Sequence, residues 1–290
     1  MRNVIAAGAA FVVMAALALV PAPVRAQPST RAAPLVEFEM MTWPEVKAAL
    51  GAGKTTALFY TGGTEQRGPQ DVNGGHTLMG RATVRAIALK LGNAIAMPVL
   101  PYTPNNAAAD LPGTIGLTND ILAATLERLS EQAIVTGFRN IVLMSDHGDG
   151  QEPGPANVYQ GVATKLDRKY AARGIHVYYC GQVYAANSDF NKYLASKGYP
   201  AGDHGAVPDT SEMLYLGDGS WVRQDLIASS VGDPPLPAGQ KPAGKLLNNG
   251  ITGDGRRSSA ALGKMFFDMK VDYAVKQIRG FAGPPPKPGR

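Results

Sequence analysis

Two short apolar runs, each handing the chain to a glycine-rich loop, constrain this sequence more than any other feature. Thr56-Ala57-Leu58-Phe59-Tyr60 leads into Gly62-Gly63-Thr64-Glu65-Gln66-Arg67-Gly68-Pro69-Gln70, and the loop continues through Asn73-Gly74-Gly75 to His76. Ile141-Val142-Leu143-Met144 leads into Ser145-Asp146-His147-Gly148-Asp149-Gly150. Such runs read as buried strands of a sheet covered by helices. Two strand ends that deliver carboxylate and imidazole to one sheet edge make a metal-site layout. The chain has four histidines, and two of them, His76 and His147, sit in these loops.

The remaining pattern alternates. Helices are predicted at Trp43–Leu50, Leu78–Leu91, Ile121–Thr136 (capped by Asn119 or Asp120), Val158–Arg173, Thr210–Leu216 and Ser258–Arg279. Strands are predicted up to Tyr60 and at Ala94–Leu100, Ile141–Met144 and His176–Cys180. This order specifies an α/β fold, a three-layer α/β/α domain with a mainly parallel central sheet. One domain covers 41–281, with no repeat and no second domain. Residues 27–40 read as a flexible lead-in, 282–290 as a Pro-rich tail, and Gly217–Gly250 as a long loop or lid.

The N-terminus reads as a secretory signal peptide, residues 1–26. Arg2 supplies a positive start, Val4 to Val20 is apolar, Pro21 and Pro23 break any helix, and Val24-Arg25-Ala26 fits a cleavage site. The rival reading, an uncleaved anchor, has an apolar core barely long enough to span. Export to the periplasm or medium follows, without stable membrane insertion after cleavage. Loss of Arg2 and Arg25 lowers the formal charge from +5 to +3, an ordinary surface with no basic stripe for nucleic acid. The single cysteine, Cys180, lies in an apolar run and has no partner for an intramolecular disulfide.

Several ordered motifs resemble the creatininase (creatinine amidohydrolase) family of metal-dependent amidohydrolases. They are the helix start at Thr42 to Val46, the Glu65 loop, Pro112-Gly113-Thr114-Ile115, Gly137 to Val142, His204 to Ser211, and Gly250-Ile251-Thr252-Gly253-Asp254-Gly255. The resemblance runs from Met41 to Phe281. It implies that Glu65 and His147 bind metal, that Asp149 takes the place of a carboxylate for a second metal, and that His204 transfers protons near the substrate. It also implies a small-molecule substrate and a homo-oligomer, since family members often form hexamers.

The departures from the family pattern share one physical reading. His76 stands where the family has a metal-bridging Asp, Arg67 where it has the next histidine ligand, and Gln70 where it has another histidine. An imidazole binding through one nitrogen does not bridge two cations, and a guanidinium stays protonated. Both changes disfavour a second metal. Glu65, His76 and His147 then form a mononuclear set for one divalent metal, Zn2+ first and Mn2+ or Fe2+ as alternatives. Arg67 is expected to fill the second-metal region and pair with Asp149 or, as a plain structural cation, with Asp149 or Asp71.

The catalytic candidates are Asp149, His204 and Asp209. Asp209 stands where the family has a Glu, and its plainer reading is a helix N-cap. His204 has a plain surface alternative, and His176 lies away from every motif. The favoured function is metal-dependent hydrolysis of a small cyclic amide or another carbon–nitrogen bond. A binding protein that keeps the pocket without turnover is the runner-up, and a structural envelope protein is a third possibility. Fold-level analogy does not choose the substrate.

Overall fold

The computed structural model describes residues 34–105, 111–233, 235 and 249–282. The proposed leader, the tail beyond Ala282 and part of the 217–250 loop lie outside the described residues. Among the described residues, four strands, β1 (Thr56–Thr61), β2 (Ala94–Ala96), β3 (Asn140–Ser145) and β4 (His176–Tyr179), form one parallel sheet in the order β2-β1-β3-β4. The chain leaves β1 for β2 on one side and then crosses to β3 on the other. The β1/β3 boundary is therefore a topological switch point, where the following loops diverge and open a crevice.

Among the described residues, seven α-helices pack around the sheet: α1 (Trp43–Gly51), α2 (Gly75–Leu91), α3 (Asn119–Thr136), α4 (Val158–Tyr170), α5 (Gln182–Ser196), α6 (Val207–Leu216) and α7 (Ala260–Ala282). Strand alternation divides the core. Leu58, Tyr60, Val142 and Met144 face α2 and α7 with Val84, Ile87, Val271 and Ile278. Ala57, Phe59, Ile141 and Leu143 face α3 and α4 with Leu122, Leu126, Val162 and Leu166. Period-2 strand faces against helical stripes give the three layers expected from the sequence. Among the described residues, no helix is long and apolar enough to cross a membrane.

Several boundaries differ from expectation. The strand predicted at Ala94–Leu100 stops at Ala96, because Pro98 has no N–H for the ladder; Leu100 rejoins only as an isolated bridge to Thr61. Thr118, and not Asn119 or Asp120, holds the N-cap position of α3. The helix read to Arg173 ends at Tyr170 and tightens into a 3-10 turn over Ala171–Arg173. Residues 34–40, assigned to the lead-in, are anchored instead: the Ala96 N–H donates to the Val36 carbonyl at 2.8 Å, and Arg85 pairs with Glu37 at 2.6 Å. Helix α5 was not anticipated, although Val183, Ala186, Phe190 and Leu194 recur at helical spacing and are all buried.

Candidate active site

The two loops leave the C-terminal ends of β1 and β3, which pair in register from Thr56↔Asn140 to Thr61↔Ser145. Neighbouring strand ends place Glu65 beside His147, while the first loop climbs into α2 and brings His76 back over the same edge. The Glu65 loop is braced from outside. The Ile115 N–H donates to the Thr64 carbonyl at 3.0 Å, and the Gln66 N–H to Thr114 Oγ1 at 3.2 Å. The Pro112-Gly113-Thr114 turn is thus a buttress for the Glu65 loop. Gly63 has a steric reason: a Cβ there would lie 2.9 Å from His147 Cδ2. Gly75 likewise admits Arg67, whose Cδ and Nε would meet a Cβ at 2.9 Å.

Glu65 is the hub. Its Oε1 lies 2.8 Å from Arg67 Nη1, 3.1 Å from His76 Nε2 and 3.4 Å from His204 Nδ1. Its Oε2 accepts from Asn105 Nδ2 at 2.9 Å and lies 3.2 Å from His147 Nε2. Burial alone would raise the Glu65 carboxyl, but hydrogen bonds from His147 and His76 hold it well below the usual carboxylate range. His76 is buried and close to Arg67, which opposes its charge; Asp146 and Glu65 outweigh both and carry the imidazole up to about 9.

The imidazoles are wired differently. His76 Nδ1 donates to Asp146 Oδ1 at 3.0 Å, so Nε2 is the nitrogen turned toward Glu65. His204 Nε2 donates to the Gln66 carbonyl at 2.7 Å, which leaves Nδ1 facing Glu65. His147 Nδ1 accepts from the Asp149 backbone N–H at 3.2 Å, which puts the ring proton on Nε2. To ligate a cation through Nε2 as a neutral imidazole, His147 would carry its proton on Nδ1 instead, the tautomer that gives up the contact with the Asp149 N–H.

Glu65, His76 and His147 each offer one ligand atom, and these atoms all lie within 4.8 Å of one another. One carboxylate with two imidazoles is a donor set suited to zinc, manganese or iron. A histidine whose far nitrogen donates to a carboxylate, as His76 does to Asp146, carries the outer contact common to ligating histidines. The three residues named from the sequence therefore converge and fit one divalent ion.

The expectation for Arg67 needs correction. Its guanidinium is fully buried beside the cluster, but its partners are Glu65 and Asp209, with Nη2 2.5 Å from Asp209 Oδ2 as an ion pair. Asp71 adds only a longer-range attraction to these two close ion pairs. The reason is topological: α6 delivers Asp209 to the inner wall of the site, while Asp149 stands at the pocket lining after β3. Asp209 is also not the N-cap of α6. Ala206 holds that place, and Asp209, third in the helix, reaches back to accept from the Gly205 N–H at 2.8 Å. Gln70 ties the two segments together, donating to the Gly205 carbonyl and to Thr210 Oγ1, both at 2.9 Å. His176 pairs with Asp167 at 3.0 Å, outside the site.

A cavity of about 180 Å3 opens over the cluster, lined by Glu65, His76, His147, Asp149, His204 and Asp209 together with Tyr184, Asn187 and Asp203. The last three were missed because they come from unanticipated α5 and the segment before His204. A larger cavity of about 540 Å3 shares Tyr184, Asn187 and Asp203 and continues along α5. Also missed were Asp146, adjacent to His147, and the buried Lys270 and Glu212 behind it. Lys270 left a signal: it falls four residues from both Phe266 and Ala274 on the buried stripe of α7.

The described geometry agrees with comparisons to known proteins. The family model for creatininase, creatinine amidohydrolase, matches residues 39–278. The chain is 28% identical over 189 residues to the creatinine amidohydrolase of Pseudomonas putida, a match covering 61% of this chain and 70% of that protein. A crystal structure of creatinine amidohydrolase superposes with a TM-score of 0.70 at 23% identity, covering 88% of this chain and all of that one. A creatininase structure named as the Mn form gives a TM-score of 0.66 at 23% identity, covering 85% of this chain and 98% of that one. A creatininase variant named as the Zn-Zn type gives 0.66 at 21% identity, covering 86% and 98%. With the family model spanning most of the sequence, this chain belongs to the creatininase family.

Proposed function

We propose that this protein is an exported hydrolase that opens a small cyclic amide or cleaves another carbon–nitrogen bond with one divalent cation. The observation that carries the reading is the buried Glu65 carboxylate facing two imidazoles within a 4.8 Å cluster, under a cavity of about 180 Å3 at the β1/β3 switch point. Metal-containing creatininases named as Mn and Zn-Zn forms support a divalent ion as the class of cofactor.

Glu65, His76 and His147 would hold the ion. When bound, it supplies Lewis acidity toward a substrate carbonyl and acidifies water. This chain's own residues handle the protons and the charge. Asp149 lines the cavity beside His147 and is the acceptor best placed to take a proton from water. Asp209 is less suited to that task, because its Oδ2 is shared between the Gly205 N–H and buried Arg67. Its work is to hold Arg67. His204, with Nε2–H fixed by the Gln66 carbonyl, turns a bare Nδ1 toward the cluster and would relay to a leaving nitrogen a proton first taken up there from water. Arg67 supplies the fixed positive charge next to Glu65, which favours one metal over two. Export rests on the N-terminal sequence alone.

The test is turnover of a panel of cyclic amides, creatinine included, by protein stripped of metal and reloaded with Mn2+ or Zn2+. Metal-dependent ring opening, lost in Asp149→Asn, supports the reading. Tight ligand binding without product for any carbon–nitrogen substrate would transfer the protein to the binding class.

A further inference from the structure

Helix α7, far from the catalytic loops in sequence, reaches the site through one side chain. Lys270 is 1% exposed and lies between two carboxylates, with Nζ 2.8 Å from Asp146 Oδ2 and 2.5 Å from Glu212 Oε2. Asp146 in turn uses its other oxygen, Oδ1, to hold His76 Nδ1 at 3.0 Å, and His76 Nε2 lies 3.1 Å from Glu65 Oε1. The result is a continuous chain from α7 to the hub of the ligand cluster. A buried ammonium is a costly way to fill space between helices, since an apolar side chain of similar volume often stabilises as well or better. The stem of Lys270 lies in apolar surroundings, over the Phe266 ring at 4.8 Å with Val271 and Ala274 also buried on α7, so only the ammonium answers to the two carboxylates.

We propose that Lys270 is a positioning residue for the cation site, acting through Asp146. A carboxylate is a rigid plane, so engaging one oxygen aims the other. By holding Oδ2, Lys270 leaves Oδ1 directed at His76 Nδ1, fixing the ring orientation that presents Nε2 to the cluster. Glu212 stands on the far side of Lys270 and balances charge without touching His76. This inference rests on the metal-dependent reading above.

The experiment measures equilibrium binding of Mn2+ alone, and separately Zn2+ alone, to metal-stripped full-length protein at one fixed pH. The variants are Lys270→Met, Asp146→Asn, the pair, and Glu212→Gln, each with its thermal midpoint recorded. Losing an outer contact of this kind weakens metal affinity about 10–100-fold, the loss expected for Lys270→Met and for Asp146→Asn. Because Lys270 works through Asp146, the pair should be no weaker than Asp146→Asn alone. Glu212→Gln leaves the Lys270–Asp146 contact in place, so it should lower stability yet weaken metal binding clearly less than Lys270→Met does. A purely structural Lys270 predicts the opposite pattern, with affinity following stability in all variants and losses multiplying in the pair. Either that pattern, or parental affinity in Lys270→Met, overturns the proposal. If Lys270→Met does not fold, Lys270→Met with Glu212→Gln removes one unpaired buried carboxylate and carries the same expectation. A parent protein that binds neither ion would refute the metal-dependent reading itself.

Discussion

Replacing Arg67 by Met keeps much of the buried volume and removes the cation that holds the inner wall together. The guanidinium is fully buried, with Nη1 2.8 Å from Glu65 Oε1 and Nη2 2.5 Å from Asp209 Oδ2. Its loss leaves two carboxylates without their shared partner, and Asp71, already raised to about 7 by burial, loses part of the attraction that opposes that rise. Breaking a buried ion pair from one side costs about 3–5 kcal/mol. For a domain of this size, about 2–4 °C per kcal/mol converts this to a fall of about 6–20 °C in thermal midpoint. The assay is thermal unfolding of metal-stripped protein by circular dichroism, repeated with Asp209→Asn added. The pair should recover part of the loss, because one of the stranded charges is gone. A midpoint unchanged by Arg67→Met would refute the assignment of Arg67 as the central cation. Equal midpoints for the single and paired variants would refute Asp209 as its partner.

Four further outcomes are expected, three from the same site and one from the N-terminal sequence. His76, raised from its ordinary 6.5 to about 9 by Asp146 and Glu65 against burial, must release a proton to bind a cation. Mn2+ affinity should thus rise about tenfold per pH unit below about 9 and then level off, as titration calorimetry would show. In metal-stripped protein the same shift stabilises the fold fully below pH 6.5 and is lost as pH rises through about 9, so unfolding midpoints should fall across that window. Arg67→His combined with His76→Asp should raise metal content toward two ions per chain, and Arg67→His alone should do less; one ion in the double variant argues against charge replacement. Mass spectrometry of protein from its native host should find an N-terminus at Gln27, whereas an intact Met1 form in the cytosol would end the export proposal.

Much of the fold was legible because β1 and β3 are buried on both faces, leaving unbroken apolar runs, and because α2, α3 and α7 carry apolar residues at helical spacing. The convergence of Glu65, His76 and His147 was legible for a related reason: strand ends in a parallel sheet point the same way, so loops after β1 and β3 must meet. What was not legible depends on contacts distant in sequence. Choosing Asp149 for Arg67 rested on the family's second-metal carboxylate, but α6 supplies Asp209 across 142 residues of chain. Lys270 and Glu212 lie on helices whose stripes looked merely apolar, and their ionic role appears only when α6 and α7 pack behind β3. Strand β2 was read too long because Pro98 was not allowed to end it.

The most direct test is the metal stoichiometry of purified protein after equilibration with excess Mn2+ or Zn2+ and removal of free ion. The account predicts one ion per chain in the parent and the loss of most of it in His147→Ala, which removes one of three ligand atoms now within 4.8 Å of one another. Two ions per chain, or an undiminished single ion in His147→Ala, would contradict it.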